Sequence, residues 1–293
     1  MSNYYGFSGY GILGATTVFL QPGADGDRPR NIQWAYPVGN RYGRANYGEG
    51  AQFPVFRLPV VLMASYFTAA NWNAWFLTHA GAQPHDLSAI GGGVEFADVA
   101  YAADEYKMNG AKGAGFNINF RFGQPMLTAQ CEFHGTSYAA PAGPPAAVVE
   151  NPLTFAEVTL SGAAFGTKAA ASKGILGGAI VYNNGLTPNE QLNGTHYPSA
   201  HNADAPTAQL QIQMYADPDN PPPGYTDKDT FAEITDCGVH FKIGAATYTS
   251  FTFPRLILNN PNARRLMGGR GIRTFVYDAA ADASNYPLAC AAT

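Results

Sequence analysis

Phe116-Asn117-Ile118-Asn119-Phe120-Arg121-Phe122, then Gly123-Gln124-Pro125, then Leu127-Thr128-Ala129-Gln130-Cys131-Glu132-Phe133-His134 decide the fold class. In the first run four apolar side chains alternate with three polar ones. That is the period of two of a half-buried strand. The second run repeats it, and the Gly-Gln-Pro break between them predicts a long antiparallel hairpin. Working outward, Leu210, Ile212 and Met214 alternate with Gln209, Gln211 and Gln213. Val239, Phe241 and Ile243 alternate with His240 and Lys242. Tyr248 to Phe253 and Arg273 to Tyr277 are further strands, rich in Thr and aromatics. One apolar and one polar face per strand suits sheets that meet water on one side. The alternation therefore predicts a mainly β protein, with His134 and His240 on polar faces.

Helix is scarce. Thr68 to Ala80 carries Ala69, Trp72, Trp75 and Phe76 on one stripe, with Thr68 as cap and Gly81 as stop. At that spacing Trp72 and Trp75 read as core rather than as a sugar-stacking platform. A second short helix fits Pro261 to Met267, with Asn260 as cap and Gly268 as stop. Ser137 to Pro152 is rich in Pro and small residues, which makes a stiff connector. It predicts two β-rich units: 1–140, with a long loop at 31–59 and the helix at 68–80, and 153–293, joined by 141–152. The Tyr-, Gly- and Pro-rich stretches 31–59, 183–204 and 217–226 read as long loops that form contact surfaces.

Composition narrows the function. The 293 residues are 46% hydrophobic but only 13% charged, against a usual ~25%. With 38 aromatics, this is not a disordered chain, nor a coiled coil. A net charge of −4, with only six Lys among 17 basic residues, disfavours a general nucleic-acid binder. No apolar run reaches the ~18 residues of a membrane span. The N-terminus has no signal-peptide pattern, so synthesis and folding in a cytoplasm are expected. Cys131, Cys237 and Cys290 are odd in number and far apart, and read as reduced structural thiols.

Charge is segregated. Arg28, Arg30, Arg41, Arg44 and Arg57 share their stretch with one acid, Glu49. Asp86, Glu95, Asp98, Asp104 and Glu105 follow with no base between them. Asp204, Asp217, Asp219, Asp227, Asp229, Glu233 and Asp236 accompany only Lys228. Arg255, Arg264, Arg265, Arg270 and Arg273 then come without an acid. Such blocks are either solvated surface or complementary faces between copies of the chain. Arg in place of Lys favours the second reading, because the guanidinium fork suits carboxylates.

Catalytic patterns do not assemble. There is no P-loop, GxSxG elbow or HExxH. Gly110-Ala111-Lys112-Gly113-Ala114-Gly115 precedes a strand and reads as a turn. His196 and His201 lie in a loop at a spacing unsuited to a metal pair. Asp217-Pro218-Asp219-Asn220 lacks the spaced Gly and terminal Glu of a calcium loop. Asn193-Gly194-Thr195 reads as a turn. No enzyme, cofactor or metal site is expected.

Two stretches carry a family resemblance. Pro152-Leu153-Thr154-Phe155-Ala156-Glu157-Val158-Thr159-Leu160 leads through Gly174-Ile175-Leu176 to Ala179-Ile180-Val181-Tyr182-Asn183-Asn184-Gly185-Leu186. Val239 leads through Phe253-Pro254-Arg255-Leu256-Ile257-Leu258 to Arg273-Thr274-Phe275-Val276-Tyr277. Over roughly 105–280 this resembles the larger major tail tube proteins of long-tailed bacteriophages. The first hundred residues match less well. The resemblance implies tandem β-sandwich or barrel-like domains with flanking helices and long loops. It implies trimeric or hexameric rings that stack into a hollow virion tail, assembled in the host cytoplasm. DNA would pass through the lumen unbound. The tail terminator, tape measure and baseplate or tail-tip proteins would be partners, with no membrane and no cofactor.

On that reading Asp86, Glu95, Asp98, Asp104, Glu105, Asp217, Asp219, Asp227 and Asp229 are candidate lumen or interface acids. Arg41, Arg44, Arg255, Arg264, Arg265 and Arg270 are candidate inter-subunit bases. The alternatives are a capsid decoration or tail-tip attachment protein, and a glycan-binding or hydrolytic β-domain.

Overall fold

In a computed structural model the described residues are 9–22, 24–27, 32–35, 46–49, 54–80, 86–98, 105–141, 150–169, 174–189, 198, 200–216, 220–225, 232–259, 271–281 and 286–293. Their strands, in chain order, are β1 (Gly9–Leu13), β2 (Thr16–Leu20), β3 (Asp25–Asp27), β4 (Ile32–Ala35), β5 (Asn46–Glu49) and β6 (Val55–Val61). Helix α1 (Ala69–Trp72) follows, then β7 (His79–Ala80), β8 (Asp86–Leu87), β9 (Val94–Asp98), β10 (Glu105–Asn109), β11 (Lys112–Arg121), β12 (Thr128–His134) and β13 (Ser137–Ala139). The remainder comprises β14 (Val158–Ser161), helix α2 (Ala163–Ala169), β15 (Ile175–Asn183), β16 (Leu186–Asn189), β17 (Ala200–Ala203), β18 (Thr207–Ala216), β19 (Ile234–Lys242), β20 (Tyr248–Leu258), β21 (Gly271–Ala280) and β22 (Ala289–Ala292). Among the described residues the protein is mainly β, with one large antiparallel sheet and two short α-helices.

The sheet runs β13-β10-β9-β1-β2-β6-β12-β11-β15-β18-β21-β20-β19-β14, with β3 added on β6 and β22 on β20. The hairpin expected from the alternation is β11–β12, in register from Phe116 opposite Cys131 to Asn119 opposite Thr128. Its inward set Phe116, Ile118, Phe120, Leu127, Ala129, Cys131 and Phe133 is buried. Phe122 departs from the expectation. It lies just past the strand, 73% exposed, because the chain has already turned.

Residues before and after 141–152 share this sheet. β11 pairs with β15 from Gly115 opposite Asn183 to Arg121 opposite Gly177. They also share one apolar core. Phe251 stands 5.8 Å from Phe116, 6.1 Å from Phe67 and 6.3 Å from Trp72, ring centre to ring centre. Phe241 lies 5.1 Å from Phe67. The expected boundary therefore does not divide the core.

Two local expectations are corrected. The stretch 31–59 is not one loop: it contains the β4–β5 hairpin and most of β6. Pro59 sits inside β6, opposite Gln130, and its carbonyl accepts from Gln21 N at 2.9 Å. Proline brings no N–H to a ladder. There β2 meets β6 at one register pair, Leu20 with Val60, and β3 continues the pairing along residues 55–57.

The helix expected over 68–80 is also shorter. Thr68 caps it as expected, its hydroxyl accepting from Asn71 N at 3.3 Å. After Trp72 the chain widens into a π-helical turn, Asn73–Leu77, and leaves at Thr78; His79–Ala80 pairs with β8 instead. The wide turn brings Trp75 and Phe76 onto Gly113. A Cβ at Gly113 would lie 2.1 Å from the Trp75 carbonyl oxygen, so only glycine admits this approach. The Pro261–Met267 helix lies outside the described residues, as does Gly81. Helix α2 was not expected.

Candidate functional site

Strand alternation gives the large sheet a second face opposite the core. Across its middle the outward positions are Asn117 and Asn119 on β11, Val181 on β15, and Gln209, Gln211 and Gln213 on β18. Their register aligns them in rows: Gln130, Asn117, Val181 and Gln209; then Thr128, Asn119, Ala179 and Gln211. These rows hold amides and hydroxyls but no charge. Charge begins in the next row, where exposed Arg121 on β11 stands opposite Gly177 and in line with Gln213, and continues at the margins, where two examples are paired. Arg57 Nε donates to Glu132 at 3.2 Å, and Gln209 donates to Asp278 at 2.8 Å. A groove of about 270 Å³ opens on this face over Gly115 and Asn117, walled by Arg57, Gln130, Glu132 and Asn183.

The sheet path ends at two short strands, β13 and β14. β14 is held to its neighbour by a hydroxyl–imidazole ladder. His240 Nε2 meets Ser161 Oγ at 2.7 Å and its Nδ1 meets Ser250 Oγ at 2.8 Å; Ser250 Oγ meets Thr293 Oγ1 at 2.6 Å. Burial pushes the His240 pKa down, which favours the neutral ring, where one nitrogen donates and the other accepts. The β4–β5 hairpin pairs with no other described strand. Residues 36–45 connect its two strands in sequence.

Few of the expected site residues come together. Glu95 is 2% exposed, and Lys107 Nζ approaches it at 3.6 Å. It faces its neighbour strand rather than a surface, because register puts Lys107 directly opposite. Arg255 forms a bidentate pair with Glu233 of its own chain, at 2.8 and 2.6 Å. That pairing holds the Glu233 carboxyl below its usual range. Asp86 lies on β8, Asp98 on β9 and Glu105 on β10. Asp104, Asp217, Asp219, Asp227, Asp229, Arg41, Arg44, Arg264, Arg265 and Arg270 lie outside the described residues.

Asn220, from the calcium-like stretch, accepts from Lys168 Nζ at 2.7 Å and donates to the Tyr215 carbonyl at 2.6 Å. Its carboxamide is thereby engaged within the chain. Trp72 and Trp75 are core and present no sugar platform. All three cysteines are free and buried, as their composition suggested. Burial pushes the Cys237 and Cys290 thiols up to about 12.

The sequence reading missed two features. His201 is a buried strand residue, not a loop residue. The amide rows were legible strand by strand, but their alignment needed the β11–β15–β18 order. Compared with protein-family models and with curated proteins, the chain matches none of them.

Proposed function

We propose that this chain is a self-assembling virion structural protein whose rings stack into a hollow phage tail tube. The observation that carries the reading is the β4–β5 ribbon. A lone two-stranded hairpin is marginal in water, so one that pairs with no other described strand calls for a partner surface. The sequence resemblance over 105–280 and the low charge content support the same reading. Short strands at both ends of the sheet add to it, since unpaired edges invite contact between copies and a ring closes them. Stacking repeats head to tail and so extends into a tube.

The finer claims belong to this proposal: tandem sandwich-like tube domains within the one sheet, trimeric or hexameric rings, and contacts with terminator, tape measure and baseplate or tail-tip proteins. The uncharged amide rows suit a passage for DNA, because they hold no cation to make the phosphate contacts whose counterion release would hold the duplex. Arg41 and Arg44, between β4 and β5, and Arg264, Arg265 and Arg270 would meet acids of a neighbouring copy.

The test is a concentration series by light scattering on the whole chain and on a variant with 36–45 replaced by a two-residue turn. The reading expects concentration-dependent assembly by the whole chain, weakened by the shortened hairpin while circular dichroism stays unchanged. A whole chain that remains monomeric throughout would favour a decoration or attachment protein that needs another surface.

A further inference from the structure

The β16–β17 pair is a two-stranded sheet of its own, outside the large sheet. Leu186 to Asn189 pairs with Ala200 to Ala203. The chain enters it beyond Asn184, which is fully buried and donates to the carbonyls of Phe76 at 2.8 Å and Gly113 at 2.9 Å. Gly185 follows with φ +59°, a conformation open to glycine, and its carbonyl accepts from Asp204 N at 3.4 Å. The pair is thus pinned at its base, between 184 and 204.

Away from that base, the described hydrogen bonds that hold it to the large sheet both fall on His201. His201 is 2% exposed, and its Nε2 lies 2.8 Å from the Gly135 carbonyl oxygen. A carbonyl only accepts, so Nε2 carries the hydrogen. Nδ1 is then the bare nitrogen, and it is buried with no hydrogen-bond partner among the described residues. The backbone of the same residue is also engaged: Lys112 Nζ donates to the His201 carbonyl at 3.0 Å.

The surroundings oppose a second proton. From β12, His134 meets the His201 ring edge to face at 5.7 Å, and its own Nε2 is 2.8 Å from Glu132. From β11 comes the Lys112 ammonium. Glu132 is shared with Arg57 of β6, so its charge is already engaged. β8, which carries Asp86, also packs against β17. A proton on Nδ1 would place a buried N–H without an acceptor beside a lysine. Leaving such a donor unpaired is costly.

We propose that His201 is an acid-sensitive latch that holds the β16–β17 pair on the large sheet when neutral and releases it when protonated. Burial is the main influence lowering its pKa; the Gly135 bond opposes it, and His134 and Lys112 add to it. A base whose pKa is depressed in the docked form stabilises docking fully above its free value, ~6.5, and progressively less below it. One such proton weakens docking about tenfold between pH 7.5 and pH 5.5, provided the docked ring stays neutral.

The test is hydrogen exchange of the whole chain at the amides of 200–203, at pH 7.5 and 5.5, corrected for intrinsic exchange. The variants are His201→Gln, whose amide can still donate to Gly135 but does not titrate, and His134→Gln, which removes the neighbouring imidazole. The latch predicts about tenfold greater opening at pH 5.5 in the wild type and in His134→Gln, with no rise in His201→Gln. Equal opening at both pH values in the wild type, or the same rise in His201→Gln, would overturn it. Ring nitrogen shifts in an NMR titration give a second check. A docked His201 that is doubly protonated at pH 6.5 would also overturn the proposal.

Discussion

Phe251→Ala tests whether the two ends of the chain stand on one core. Phe251 is fully buried on β20, and its ring meets Phe67, Trp72 and Phe116 from before residue 141 as well as Phe241 from after it. Truncating a buried phenylalanine costs about 3–5 kcal/mol, as lost transfer energy plus a cavity the surroundings only partly fill. The expected loss lies at the upper end, because four aromatic neighbours lose ring contacts and two of them, Phe116 and Phe241, are fixed by ladder bonds. At about 2.1 cal/mol/K per residue, 293 residues give an unfolding entropy of roughly 0.6 kcal/mol/K. The melting midpoint should then fall by about 7–8 °C. The assay is a thermal melt at a concentration too low for assembly, followed by near-ultraviolet circular dichroism and by hydrogen exchange at β1–β2 and β18–β21. One core predicts a single transition, with both regions moving together. Two transitions, of which only the β18–β21 one shifts, would refute the shared core and restore two independent units.

Three further outcomes follow from the geometry. Glu132 bonds His134 and Arg57, which hold its carboxyl below the usual range; its contribution to stability is present above the unfolded carboxylate value and lost as pH falls through the lowered one. Glu132→Gln should therefore flatten the loss of urea stability from pH 5 to pH 3, by about 0.2–1 kcal/mol for a half-exposed pair, and an unchanged slope would contradict this assignment. Cys131, Cys237 and Cys290 should resist a thiol reagent such as dithionitrobenzoate in the native chain and all react once it is unfolded, since burial raises each thiol's pKa; rapid native reaction of any one would count against the packing described. Reversing charge at Arg264 and Arg265 should weaken polymerisation without changing the far-ultraviolet spectrum, and unchanged polymer formation would sink their interface role.

The sheet was legible where a strand has one wet face. Phe116–Phe120 and Leu127–Phe133 alternate cleanly because their outward residues meet water, so the period of two and the hairpin could be read. Phe122 kept the pattern but fell beyond the turn, a boundary that side-chain polarity does not mark. Val55–Val61 was misread because Pro59 signals a break, whereas here its missing N–H falls where β2 barely pairs with β6. Helix α2, Ala-Ala-Phe-Gly-Thr-Lys-Ala, has one large apolar residue and so no stripe to find. The continuity of β11 with β15 was hidden for another reason. Which strands become neighbours is set by how their apolar faces close on one core, and no single segment encodes it. The site was less legible than the fold. Glu95 and Arg255 look free in a charge count, yet cross-strand register gives them Lys107 and Glu233. The latch at His201 depends on Gly135 and Lys112, 66 and 89 residues away.

Negative-stain electron microscopy of the purified chain at high concentration tests the central claim most directly. The account predicts hollow rings or tubes of uniform diameter. A field of compact, uniform monomers or closed small oligomers without a central channel, even with the tail-initiating complex added, would contradict it.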